Sequence, residues 1–551
     1  MYTKYLIIFA FGFCISVAVQ AQAQDTQGLF INKWQPKKAS IPESKKINQI
    51  SGIADVLVTI NTKTTIAKVS PLLFGNNANV YMTQIINQPT LLQQIKTLQP
   101  NILRFPGGNL SNIYFWDALP NQKPADVPDT ILYGDDRKIR RERFNSGNNN
   151  NPNSMSLDNY YKLLAQTNSE GTICVNAGYA RYGLSDNPIA TAAHYAAQWV
   201  RYDKGRTKYW EVGNEDYGTW QAGYKIDVNK NKDGQPVITN GELYGKIFKA
   251  LSDSMRAAAK ENGKEIYIGA TIIEAARNTH ENNINANWNS GFFKSAKNTA
   301  DFFIVHSYYT PYNKDSNPEV ILSSAIPVTD KIMQYMKEMA QENNVLFKPI
   351  ALTEWNIFAE GSRQQTSYIS GMHAVLVLGE LAKNKFGMAC RWNLANGYNN
   401  GNDHGMFNRG DEPGMPQWSA RPAFYYMYYF QKYFGDKMIA TSSSNENVVV
   451  YASSFSNGKK GIVLINKDTV NKIIDINIDD KKNKGNLYGY TLTGGKDNGL
   501  FSSKVIINDV ESRLPAGGPE NFEQIKAWSS SFDKTIKIAL PAMGVDYILV
   551  D

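Results

Sequence analysis

Eight short apolar runs punctuate residues 70–436, and stretches of helical periodicity lie between them. The runs cover 71–75, 102–106, 172–176, 208–214, 265–271, 302–306, 349–354 and 388–393. The helical candidates cover 88–98, 156–167, 188–201, 241–262, 330–343 and 364–383. Strands alternating with helices call for a parallel sheet, and eight of them fit a closed (β/α)8 TIM barrel. A doubly wound open sheet is the rival. It would gather its chemistry at one switch point, whereas polar residues here end several different strands. Residues 418–434 read as a last, aromatic helix. Beyond 436 the texture changes to short alternating strands broken by Gly, Asn, Lys and Pro, as in a C-terminal antiparallel β-sandwich domain. A chain of 551 residues exceeds one ordinary core, which fits two domains. The expected division is a signal peptide over 1–23, a linker over 24–52, a strand over 53–69 that joins the sandwich, the barrel over 70–436 and the sandwich over 437–551.

Two of the runs end in an acid. Trp210-Glu211-Val212-Gly213-Asn214-Glu215 closes the fourth, and Ala351-Leu352-Thr353-Glu354-Trp355-Asn356 closes the seventh. An unpaired charge at the tip of a buried strand is costly, so two such tips suggest a facing pair. Cleavage of a glycosidic bond needs one acid for the leaving oxygen and one anion for the sugar cation. Asn214, beside Glu215, can donate to a sugar hydroxyl. His306 and Tyr308 end the sixth run, where a tyrosine hydroxyl can orient a carboxylate. Trp355 and Trp392 are candidate sugar platforms, with core packing as the competing use. Arg104 ends the second run before the turn Gly107-Gly108. Glu211 faces the same way as Glu215 on its strand, so Arg104 can pair with Glu211, meet the site, or bridge both. The segment 114–154 is long enough to shape a cleft, and its start, Tyr114-Phe115-Trp116, suits either sugar stacking or packing.

Other signals narrow the reading. Lys4, an apolar run over 6–19 and Ala21-Gln22-Ala23 make a secretory leader too short to span a membrane. The expected location is therefore periplasmic or extracellular, with no membrane span. The formal charge of +8 is scattered rather than clustered, which argues against nucleic acid. Cys174 and Cys390 are expected to be buried free thiols. The five histidines lack metal-ligand spacing. The stretch 229–240 mimics a calcium loop but has Asn229 and Asn240 at its two anchoring positions, so a hairpin turn is expected. No metal or cofactor is expected, and the partner is a polysaccharide or oligosaccharide. A Lys-based aldolase-type barrel is disfavoured, because no Lys ends an expected strand.

The stretches 69–75, 103–109, 210–215, 306–309 and 353–356 resemble clan A of the retaining glycoside hydrolases, and most of all the family 51 α-L-arabinofuranosidases. The likeness implies Glu215 as acid/base and Glu354 as nucleophile. It also implies Asn214 and Asn109 as contacts to sugar hydroxyls, and Tyr308 as the support of Glu354. Two departures touch the sugar pocket: Asn76-Asn77-Ala78-Asn79 carries no acid where such enzymes usually have a Glu, and the eighth run, 391–396, differs from their usual version. Relatives in the clan that act on xylosides, uronides or algal galactans remain alternatives. So does a carbohydrate-binding barrel without catalysis, although a close carboxylate pair has no use in a pure binder.

Overall fold

The computed structural model describes residues 26–134, 139–140, 144–275, 286–312, 314–358, 364–479, 484–533 and 535–551. The leader expected over 1–23 lies outside these residues. Eight parallel strands close into a barrel: β1 (Gly75–Asn77), β2 (Ile102–Phe105), β3 (Glu170–Val175), β4 (Tyr209–Val212), β5 (Tyr267–Thr271), β6 (Phe302–Tyr308), β7 (Ile350–Asn356) and β8 (Met388–Arg391). The open-sheet alternative is thereby excluded.

Three local features depart from the sequence expectation. The first barrel strand is Gly75–Asn77 rather than 71–75, because Ser70 caps a 3-10 turn over Pro71–Leu73 with its hydroxyl (3.3 Å from the Leu72 N–H). The helix expected at 330–343 begins twelve residues earlier, as Pro318–Glu342. Asn317 caps it, Pro318 opens it, and it runs through Pro327. An interior proline costs about 3 kcal/mol. Ile321 and Leu322, both fully buried, each return about 1.5–3 kcal/mol and keep the turn before Pro327 on the barrel wall. The helix Trp288–Ala296 after β5 has no counterpart in the sequence reading.

The second unit is an 11-stranded sheet folded over its own apolar interior. Val56–Lys68 lies within it, antiparallel to Lys437–Ser443 and parallel to Lys472–Ile478. Val58, Ile60, Leu464, Ile474, Ile538 and Ile548 fill the inside. The outer face packs on the barrel helices Pro422–Tyr433 and Tyr368–Lys383, where Tyr547 donates to the Tyr426 carbonyl (2.8 Å) and Tyr451 to Glu380 (2.9 Å). Residues 26–52 bind both units together. Phe30 sits under the barrel floor against Tyr209 and Phe302, and Ser44–Lys46 adds an edge strand beside Ala527–Asp533. Cys174 and Cys390 are buried and free. The stretch after Asn229 is a turn between paired segments, with the Ile226 N–H on the Val237 carbonyl (2.9 Å).

Candidate active site

Arg104 organises the C-terminal mouth of the barrel. It projects from β2 and is fully buried. Its Nε donates to Glu211 (2.8 Å), its Nη1 to Glu354 (2.8 Å) and to Oδ1 of Asn77 (3.0 Å), and its Nη2 to Oδ1 of Asn214 (2.8 Å). A buried guanidinium is tolerable only with this kind of full pairing. Although burial opposes the charge, Glu211 and Glu354 push the Arg104 pKa further up. Both uses foreseen for Arg104 thus hold together: it pairs with Glu211 and reaches the site.

The strand β7 is irregular where it matters. Its register against β6 shifts between Val305 and His306, and against β8 between Leu352 and Trp355. A regular strand sends neighbours to opposite faces, yet Thr353 and Glu354 both meet partners on the barrel interior. Bulges re-aim side chains in this way. Oε2 of Glu354 accepts from the Tyr308 hydroxyl (3.0 Å) while Oε1 accepts from Arg104, so both oxygens are fixed.

Glu215 stands just beyond β4 in the left-handed region (φ 46°), a conformation costly for a residue with a side chain. Its Oε1 lies 2.9 Å from Nδ1 of His306, and its Oε2 accepts from Nε1 of Trp220 (2.8 Å). One carboxylate oxygen of Glu215, one of Glu354 and a ring nitrogen of His306 all lie within 4.8 Å of one another. Three such groups could also hold a cation, but the Arg104 guanidinium already balances Glu354 there. Burial works against charge on Glu215. The His306 bond and charge outweigh it, with help from Trp220 and Arg104, and hold the Glu215 carboxyl below its usual value. His306 moves the other way: burial lowers it, but Glu354 and Glu215 raise it above its ordinary value. The opposed shifts tie Glu215 and His306 into one proton-sharing couple. Next to Glu215, burial pushes Asp216 up to about 7.

Asn214 is buried with its Oδ1 taken by Arg104, and its Nδ2 has no partner among the described residues, so one donor is left for a ligand. Trp392 lies half-buried at the mouth, over Gly108, where a Cβ would come within 2.5 Å of its ring. Gly107 and Gly108 make the turn (φ 75° and 65°) that brings the backbone this close. Asn109 follows, exposed, at the start of the 3-10 turn Asn109–Ile113, with no described side-chain bond to either acid. Trp355 must be corrected. It is fully buried in the hydrophobic core, because the residue after Glu354 points outward into the helix layer, so it cannot be a sugar platform. Trp116 likewise packs inward, on Trp199 and Tyr202.

The sequence reading missed several participants. Asn77 bridges β1 to β7 by donating to the Thr353 carbonyl (2.8 Å). Thr353 holds Nε2 of His306 (3.1 Å). Burial raises the Tyr81 hydroxyl pKa and the nearby Glu354 charge adds to it, while the hydroxyl accepts from Asn393 (2.7 Å). Trp220, 44% exposed, follows Glu215 by five residues, and that proximity was the one available signal.

The fold and the facing acids define a class: (β/α)8 barrels with a carboxylate pair at the ends of β4 and β7. Comparison with known proteins narrows it. Residues 94–320 match the family model described as the alpha-L-arabinofuranosidase 1 domain. An intracellular exo-alpha-(1->5)-L-arabinofuranosidase of Acetivibrio thermocellus is 22% identical over 293 residues, covering 50% of each chain. The chain spans about half the length of the curated relatives it matches. Among solved structures, an alpha-L-arabinofuranosidase from Thermotoga maritima in complex with arabinose superposes with a TM-score of 0.62 at 16% identity, over 90% of this chain and 99% of that one. The GH51 arabinofuranosidase of Xanthomonas axonopodis pv. citri gives the same TM-score and identity over 91% and 100%. The barrel-plus-sandwich fold is thus that of the family 51 arabinofuranosidases, to which the chain is similar in sequence as well.

Proposed function

We propose that this chain is an exported retaining glycoside hydrolase of the arabinofuranosidase type, acting on polysaccharides or oligosaccharides. Glu354 attacks the anomeric carbon from one side of the sugar. Glu215 gives a proton to the departing oxygen and then takes one from the water that releases the sugar, so two inversions leave the configuration unchanged. The observation that carries this reading is the spacing of the two acids, within 4.8 Å between nearest ligand oxygens. Retaining enzymes hold their carboxyl groups roughly 5–5.5 Å apart, and inverting ones about 6.5–9.5 Å, to fit a water. The unequal surroundings fit the unequal roles: Arg104 and Tyr308 fix Glu354, while Glu215 shares a proton with His306. The free Nδ2 of Asn214 and the half-buried Trp392 are assigned to the sugar, as is Asn109 by the family likeness, which gives Tyr308 the support of Glu354.

The test is an activated 2-fluoro-arabinofuranosyl donor followed by peptide mass spectrometry. The label is expected on Glu354, and a label on any other residue refutes the assignment. A panel of nitrophenyl furanosides and pyranosides then fixes the sugar, with arabinofuranoside expected to turn over fastest. Export rests on the leader-like start at Lys4 and the apolar run after it, although the Acetivibrio relative is named as intracellular. Sequencing the N-terminus of secreted protein should begin near residue 24; protein retained in the cytoplasm with its leader intact would refute export.

A further inference from the structure

The two oxygens of Glu215 have unlike surroundings. Oε1 faces inward: its partner is Nδ1 of His306 (2.9 Å), a ring 4% exposed whose other nitrogen is held by the fully buried Thr353. Oε2 faces outward: its partner is Nε1 of Trp220 (2.8 Å), and Trp220 is 44% exposed. The Glu215 side chain itself keeps 15% of its surface open. A departing oxygen that collects its proton from Glu215 therefore approaches Oε2, and whatever is attached to that oxygen comes to lie beside Trp220.

The chain holds that indole in place. Residues 215–221 fold into two successive turns, with the Gly218 N–H on the Glu215 carbonyl (2.6 Å) and the Gln221 N–H on the Gly218 carbonyl (3.0 Å). Gln221 is fully buried and anchors the end of the segment, its Oε1 accepting from Nδ2 of Asn112 (3.3 Å). The indole folds back over Gly218, where a Cβ would come within 2.5 Å of the ring. The backbone covers one face, so the exposed area belongs to the other. A flat apolar surface beside a proton donor suits the C–H face of a sugar ring. The same residue acts on the acid. An N–H donated to Oε2 favours the carboxylate, and Trp220 adds to His306 in holding the Glu215 carboxyl below its usual value. That suits the half-reaction in which Glu215 takes a proton from water and opposes the half in which it gives one.

Resting on the retaining mechanism above, we infer that Trp220 is the platform for the leaving-group sugar and, through its N–H, the positioning residue of Glu215. A sugar seated on the indole brings the departing oxygen to Oε2, where it competes with the N–H. The proton then passes from Oε2 to that oxygen, which keeps the electron pair of the broken glycosidic bond, while Glu354 bonds to the anomeric carbon. Once the leaving group is gone the N–H returns to Oε2, and Glu215 is a carboxylate ready to accept from water. The leaving group this site takes is another sugar ring of an oligosaccharide or polysaccharide, rather than a small alcohol.

The experiment reads the glycosyl-enzyme after the first leaving group has gone. The nitrophenyl glycoside that turns over fastest serves as donor, arabino-oligosaccharides and xylo-oligosaccharides serve as acceptors, and the ratio of transfer product to free sugar is measured. The unaltered chain should form transfer product with at least one acceptor. Trp220→Ala should lower the ratio about tenfold or more, through loss of the stacking face. Trp220→Phe keeps a ring and loses the N–H, so it should hold the ratio within about threefold. It should also move the alkaline limb of kcat/KM for oligosaccharides, where Glu215 must still carry its proton, upward by about half a pH unit or more. The charged and titratable groups that face Glu215 stay as they are in this variant: His306 and Tyr308 on β6, Glu354 on β7, Arg104 on β2, and Asp216 next in the chain. Melting temperatures should hardly change, because the ring is exposed. No transfer by the unaltered chain, or a ratio that Trp220→Ala leaves unchanged, overturns the platform. An alkaline limb that Trp220→Phe leaves in place overturns the positioning role. Failure of the hydrolase reading looks different: the unaltered chain turns over no donor at all, and this inference falls with it.

Discussion

Nδ1 of His306 lies 2.9 Å from Oε1 of Glu215, and this couple decides where the catalytic proton rests. Its partners push the imidazole up and hold the carboxyl down. NMR titration should therefore find His306 charged to a pH above its ordinary 6.5, and Glu215→Gln should move that midpoint down by removing one of the raising charges. The linkage has a definite sign. His306, with its folded pKa raised, contributes stability below about pH 6.5 that is lost as pH rises through its folded value. Glu215, depressed, contributes stability above about pH 4.5 that is lost as pH falls through its folded value. Urea unfolding across pH 5–9 should show the alkaline loss in the unaltered chain but not in His306→Gln.

Glu215→Gln should separate substrates by leaving group. A proton donor matters most where the departing oxygen is basic, so hydrolysis of oligosaccharides should fall by roughly 10²–10⁴. Aryl glycosides with acidic phenols should lose far less in the step that breaks the glycosidic bond. Equal losses on the two substrate types would remove Glu215 from the role of acid.

Tyr308→Phe tests the support of Glu354. The hydroxyl bond of 3.0 Å disappears, while the ring keeps its edge contact with Phe358. A hydrogen bond to a charged group is worth about 1.5–3 kcal/mol, so kcat/KM should drop roughly 10- to 100-fold. The melting temperature should hardly move, which distinguishes lost positioning from lost folding.

Arg104→Met should be the most damaging single change at the mouth. It strands Glu211 with no cation and leaves Glu354 only the imidazole of His306 (3.8 Å), both acids being buried. Breaking a buried ion pair from one side costs about 3–5 kcal/mol, and urea unfolding should show a loss of that size. Replacing Glu211 by Gln in the same chain should recover part of it, because one stranded charge is gone.

The barrel was legible because strands β2 to β8 are runs of apolar residues that have no other use. β1 was misplaced for the opposite reason: Gly75-Asn76-Asn77 carries no apolar signal, and Asn77 earns its burial through bonds to Arg104 and Thr353 that exist only once the barrel closes. Glu215, Glu354, Asn214 and Tyr308 were readable because an acid, amide or tyrosine ending an apolar run is locally anomalous. Trp220 and Tyr81 were not, since each reaches the site by a loop whose path is set by tertiary packing. Trp355 shows the limit of strand-end reasoning. Simple alternation already places it opposite Glu354, on the outward face where it is buried, and only its position next to the acid made it a candidate platform.

Trp355 and Trp392 provide the last prediction, because both were candidate platforms and the structure separates them. Trp355 is fully buried among core side chains, while Trp392 is half-buried over Gly108 at the mouth. Removing a core aromatic costs about 3–5 kcal/mol through lost burial and the cavity left behind. Trp355→Ala should therefore unfold at much lower urea, with any loss of activity following loss of folded protein. Trp392→Ala should leave the urea midpoint within about 1 kcal/mol of the original and raise KM, since a half-buried ring has less apolar area to lose and more of it faces the ligand. If Trp392→Ala destabilised as strongly as Trp355→Ala with KM unchanged, Trp392 would be wall rather than platform, and recognition of the sugar would fall to Asn214 and the residues around Glu354.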